Sequence, residues 1–134
     1  MNNYKDIEEI RDFIQGMTHS AKVSTEELLK TTDQVPSLKI FLLKRTNEEG
    51  ETEYGVSVTS VPDDPIGKMV HNKIVPQIIQ REGNEILCSV ENNYTNGVLK
   101  IEFQNYLTDE KHQEIFDLTK PHQMSDLMKN ICMN

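Results

Sequence analysis

Apolar residues recur along the first segment at steps of three and four. Tyr4, Ile7, Ile10, Phe13, Ile14 and Met17 share one face of a helix. Asn2 or Asn3 can cap its start, acids fill its first turns, and Gly16 predicts its end. A second helix is predicted from Ser24 to about Thr32. Ser24 and Glu27 have capping-box spacing, Val23 and Leu28 can form a staple, and Pro36 forbids continuation.

The period then changes to two. Leu38, Ile40 and Leu42 alternate with Lys39, Phe41 and Leu43, and Tyr54, Val56 and Val58 alternate with Gly55, Ser57 and Thr59. The polar, Gly-containing link Thr46–Glu51 makes these a hairpin. Leu38–Leu43 is apolar on both faces and should be central or covered by helices.

Asp63 or Asp64, followed by Pro65, starts a third helix with apolar face Ile66, Met69, Val70, Ile74, Ile78 and Ile79. Pro76 should kink or split it, and Gly83 should end it. A second hairpin joins Ile86, Cys88 and Val90 to Leu99, Ile101 and Phe103. Its turn is Asn96-Gly97, a pair suited to positive φ at both positions. A fourth helix is predicted from Thr108 to Lys120-Pro121, and a short fifth from Ser125.

The predicted order is ααββαββαα. It implies an α+β fold with a four-stranded, mostly antiparallel sheet of two hairpins and helices packed on it. Residues 1–134 are expected to form a single domain. Its parts are a helical segment 1–35, a hairpin-helix-hairpin core 36–106, and C-terminal helices 107–134.

Composition narrows the function classes. The formal charge is −8, with 14 basic and 22 acidic side chains. The three arginines, Arg11, Arg45 and Arg81, are scattered, so phosphate neutralisation has little to work with and nucleic-acid binding is not expected. No apolar run is long enough for a membrane helix, and no signal peptide is evident. The expectation is a soluble, cytoplasmic protein with Cys88 and Cys132 as free thiols. A single alanine, three arginines, 11 Asn, 11 Lys and 12 Ile point to AT-rich coding DNA.

No catalytic, metal or cofactor motif emerges. His19, His71, His112 and His122 lack zinc-helix spacing. Cys88 sits mid-strand among aliphatics, where a cysteine behaves as a small hydrophobe. Asp63 and Asp64 are explained by helix capping. The Met-rich stripe Met124, Leu127, Met128, Ile131 and Met133 suits a core helix better than a partner surface.

The concentrated feature is the acidic hairpin tip Glu48, Glu49, Glu51 and Glu53, a candidate contact for a basic partner. The leading expectation is therefore a small acidic, non-catalytic protein-binding protein, such as an inhibitor, an immunity or antidote protein, or a mobile-element accessory protein. One alternative is a small-ligand binder or enzyme whose scattered site would join Asp63, Asp64, His71, Cys88 and Tyr94. The other is a homo-oligomeric assembly subunit, with a homodimer formed through the first or last helix.

Overall fold

The computed structural model describes residues 3–118 and shows an α+β fold. Its elements are α1 (Asn3–Leu28), β1 (Leu38–Thr46), β2 (Thr52–Ser60), α2 (Pro65–Arg81), β3 (Glu85–Thr95), β4 (Val98–Asn105) and β5 (Glu110–Asp117). The strands form one five-stranded sheet in the order β2-β1-β3-β4-β5, and every neighbouring pair is antiparallel. Because β1 lies between β2 and β3, α2 is the crossover that carries the chain past it.

Two helices are corrected to one at the N-terminus. α1 runs unbroken for 26 residues through both Gly16 and Ser24. An exposed glycine inside a helix costs about 1 kcal/mol, which packing readily exceeds. Here Asp6, Ile10, Phe13, Ile14, Met17, Ala21 and Thr25 form one continuous face against the sheet. Ala21, the chain's single alanine, sits among Val90, Leu99, Ile101 and Leu118. Ser24 is exposed, and its capping potential goes unused.

The predicted fourth helix is instead β5. Asn105 Oδ1 accepts from the backbone N–H of Leu107 and Thr108, and Asp109 takes φ 62°, so the chain turns back on itself. β5 then pairs along the whole of β4, placing Phe116 opposite Leu99. Ile115, Phe116 and Leu118 fit a helix face or a strand about equally well. The sheet supplied the pairing edge that decided between them. The sheet therefore has five strands, not four. The fifth predicted helix and the stripe Met124–Met133 lie outside the described residues.

Other expectations hold. Asp64 is the N-cap of α2, its carboxylate accepting from Gly67 N–H at 2.6 Å, with Pro65 beginning the helix. A Cβ on Gly67 would come within 2.9 Å of Pro62 Cβ and 2.8 Å of Asp64 Oδ2, so the cap requires glycine. One expectation here is corrected: Pro76 does not split α2, which runs as one helix from Pro65 to Arg81. Gly83, at φ 90°, ends it: Gly83 N–H donates to Gln80 O and Asn84 N–H to Ile79 O, the paired bonds of a Schellman ending. Asn96 and Gly97 take φ 50° and 87°, as the tight hairpin turn demands.

The two sheet faces differ in character. α1 covers a dry face built on Leu42, Cys88, Val90, Leu99 and Ile101. α2 covers the opposite face over a smaller apolar cluster of Phe41, Ile79 and Ile86. The N-terminal end of α1 is tied down by charge. The Asp6 carboxylate, 2% exposed as a residue, accepts from Lys44 Nζ and from the Tyr54 hydroxyl, both at 2.8 Å. Burial alone would raise the Asp6 carboxyl, but these two donors outweigh it and hold it below the usual range. Burial and the bond to Asp6 push Tyr54 up to about 12.

Asp6 ionises more readily folded than unfolded, so its contribution is present above the unfolded carboxylate range and lost as pH falls through the folded value. Asp6→Asn should cost about 2 kcal/mol or more at pH 7, because it leaves the Lys44 ammonium without its anion. Thermal melts from pH 7 to pH 3 should show the gap between variant and wild type closing as the pH falls. A gap independent of pH would remove the electrostatic account.

Candidate functional site

The two-faced sheet creates a recess on its α2 side. Strand residues that point toward α2 alternate with those that point toward α1. Phe41 and Ile86 hold α2 near the centre of the sheet. Farther across, the same face carries Lys39, Ser89, Glu91, Glu102, Gln104 and Lys111. α2 leaves this polar part uncovered, and a cleft of about 500 Å³ results, with Lys68 and Asn72 as its helical wall and Tyr106 among its lining residues.

Several of these groups are buried. Lys39, Ser89 and Glu91 are 7%, 2% and 5% exposed. Glu91 is paired with Lys68 at 3.2 Å, and Glu102 with Lys100 at 2.8 Å. Hydrogen bonding from Lys100 leads the effects that hold the Glu102 carboxyl below its ordinary value, against its burial. Ser89 shares a hydrogen bond with the Tyr106 hydroxyl, whose pKa burial raises.

Lys39 is different. Its ammonium lies over the Phe41 ring at 5.4 Å and donates a hydrogen bond to Asn72 Oδ1 at 3.4 Å. Burial lowers its pKa, and the fields of Glu91 and Glu102 oppose that shift. A buried ammonium at a cleft wall, with donor capacity to spare, suits an anionic group better than a cation. Among the described residues no group of three or more His, Cys, Asp or Glu side chains could hold a metal ion.

The five scattered candidates do not meet in this cleft. Asp64 is occupied by the α2 cap, and Asp63 lies beside it. His71 turns to the β2 side, 2.9 Å from Thr59 Oγ1. Cys88 is fully buried in the dry core among Ile10, Leu42 and Leu87, and burial pushes its thiol up to about 12. Tyr94 packs with the α1-side cluster.

The acidic tip is an ordered turn. Asn47 Oδ1 accepts from the backbone N–H of Glu49 and Glu51, and Asn47 Nδ2 donates to the Glu53 carboxylate at 3.0 Å. Glu48, Glu49 and Glu51 are exposed around it.

A further surface lies on α2 itself. Lys68, His71, Asn72, Val75 and Ile79 occupy its inward side, whereas Ile66, Met69, Val70, Ile74 and Ile78 are 71%, 65%, 47%, 45% and 46% exposed. Ile66, Val70, Ile74 and Ile78 recur every four residues and form an outward stripe. Of the helix's predicted apolar face, Ile79 alone is buried. The periodicity was visible in the sequence, but the stripe faces away from the sheet.

Comparison with family models, with curated proteins and with solved structures finds no match to this chain. Among the described residues no helix is long and apolar enough to cross a membrane.

Replacing Lys39 with methionine should stabilise the fold by about 1 kcal/mol or more, because Glu91 keeps Lys68 and Glu102 keeps Lys100. The lowered folded pKa means that the wild-type cost is present at neutral pH and relieved as pH rises toward the unfolded lysine value. Lys39→Met should therefore also flatten the alkaline limb of stability against pH. A destabilised variant in urea titration would show Lys39 to be a structural cation.

Proposed function

We propose that this chain is a small, acidic, non-catalytic protein-binding protein, of the kind that inhibits or neutralises another protein by surface complementarity. The observation that carries the reading is the apolar outer side of α2, whose inner side packs Val75 and Ile79 on the sheet at one end and sets Lys68 and Asn72 against polar groups at the other. Five large apolar side chains exposed along one helix form a contiguous patch of the sort that marks interaction sites. α2 ends just before Glu85, which pairs with Lys44 near the β1–β2 turn. The stripe therefore leads toward the sheet end that carries Glu48, Glu49 and Glu51. An apolar centre with an acidic margin fits a partner with an apolar groove and a basic rim.

The test is affinity capture from a source lysate with the full chain and with Val70→Lys/Ile74→Lys. The expected result is one basic protein held stoichiometrically by the wild type and lost by the folded double variant. Reversing the charge of Glu48, Glu49 and Glu51 should slow association with that protein about tenfold at low salt, with little change in dissociation. Equal capture by wild type and α2 variant would overturn the surface, and capture of nothing would overturn the function.

The cleft supports a second reading, binding of a small carboxylate-bearing ligand at Lys39. Citrate is a suitable probe. Millimolar citrate should shift the amide resonances of Ser89, Glu91 and Gln104 in the wild type and not in Lys39→Met. No shift in the wild type would remove this reading.

A further inference from the structure

β2 and β5 are the two edges of the sheet. Exposed strand edges invite pairing with another strand, and proteins commonly guard them with charge, proline or bulges. β5 is guarded: Glu110, Lys111, Glu114 and Asp117 are charged, and His112 stands among them. β2 is not. From Tyr54 to Ser60 it has no charged residue and no proline, and its pairing with β1 runs through nine positions without a bulge. Val56 and Val58 are each 57% exposed on the α1 side of this strand.

The direction of the free backbone groups follows from the register. Val61 N–H donates to Ser37 O, and Asn47 N–H to Glu51 O, each at 2.8 Å. These contacts continue the β1–β2 register at both ends and mark which opposed residues exchange hydrogen bonds. In an antiparallel pair such positions alternate. Glu53, Gly55, Ser57 and Thr59 therefore point their backbone groups at β1. Thr52, Tyr54, Val56, Val58 and Ser60 point theirs outward.

We propose that a second copy of this chain adds its own β2 to this edge, antiparallel, about a twofold axis through Val56, and so builds a ten-stranded sheet. In this register every outward-pointing residue meets another one. Val56 faces the partner's Val56, Tyr54 faces the partner's Val58, and Thr52 faces the partner's Ser60, with each pair placed to exchange two hydrogen bonds.

The side chains agree with the backbone. On the α1 side, Tyr54, Val56 and Val58 pair as aromatic and β-branched neighbours, the combination that stabilises cross-strand contacts. On the α2 side, Gly55 faces the partner's Ser57. Glu53 faces the partner's Thr59, so the strand's one charge never meets its copy. The strand is thus complementary to itself, as a twofold interface requires. A second copy meets these requirements without a like-charge contact along the strand. This contact does not draw on the α2 stripe, so loss of partner capture would leave it standing, and a monomer would leave partner capture standing.

Light scattering and sedimentation of the full chain over a concentration range should show a species of twice the 15.5 kDa chain mass. Val56→Pro removes an outward N–H and spares the bonds to β1, so it should weaken the dimer about tenfold or more while the variant stays folded. Val56→Lys should do the same by charge repulsion across the axis, and Ile115→Lys on the guarded edge should not. In a Cys132→Ser background, Val56→Cys should cross-link to its copy on oxidation, since Cα atoms of such opposed residues lie about 5.5 Å apart. A monomer at all concentrations would overturn the proposal. So would a dimer indifferent to both Val56→Pro and Val56→Lys. A dimer that these variants weaken but that fails to cross-link would overturn the register. A monomer whose Val56→Pro variant loses capture of a different protein would assign the edge to a foreign strand.

Discussion

The structure is organised around β3, the central strand, which is buried without a break from Ile86 to Glu91. A strand buried on both faces needs a cover on each, and its alternation determines what each cover must satisfy. Cys88 and Val90 face α1 and require only apolar contact. Ser89 and Glu91 face the other way and require polar partners, because an unsatisfied buried group costs more than most packing gains. The two helices are placed by these two demands.

The consequences differ from face to face. α1 lies along the dry face over nearly its whole length, and its buried side is one continuous stripe. At its start, where Asp6 has been taken out of water, Lys44 and Tyr54 meet it from β1 and β2. That triad links three elements with one carboxylate. α2 has a divided task. Its C-terminal half packs Val75 and Ile79 against Phe41 and Ile86, while its N-terminal half brings Lys68 to Glu91 and Asn72 to Lys39. With that inner side so used, the helix turns Ile66, Ile74 and Ile78 outward. The cleft and the apolar stripe are thus two results of one cause, the polar residues of β3.

The edges complete the picture of a chain whose exposed features are unevenly spread. One edge strand is dense in charge, and the other is free of it from Tyr54 to Ser60. The free edge, the stripe of α2 and the acidic turn all belong to the β1–β2–α2 side of the molecule. The formal charge of −8 keeps this surface compatible with water at large. The local departures from that average lie on this side.

The sequence by itself determined the local features. The period-two runs of β1 to β4, the Asn96-Gly97 turn, the Asp64-Pro65 helix start and the Gly83 ending were legible because each depends on neighbours a few residues away. Competition between distant segments settled the rest. Gly16 and Ser24 resemble boundaries, yet a sheet able to bury Ile10 through Thr25 carries one helix across both. Lys111–Asp117 has no strong preference, and the open edge of β4 makes it a strand. The cleft was hidden because Lys39, Glu91 and Lys111 look like the ordinary polar positions of three separate strands. Only the sheet order brings them to one face. The direction in which α2 points its isoleucines is likewise a tertiary decision. Hydrophobic periodicity defines a stripe, and the needs of the surface beneath decide whether it faces the core or the solvent.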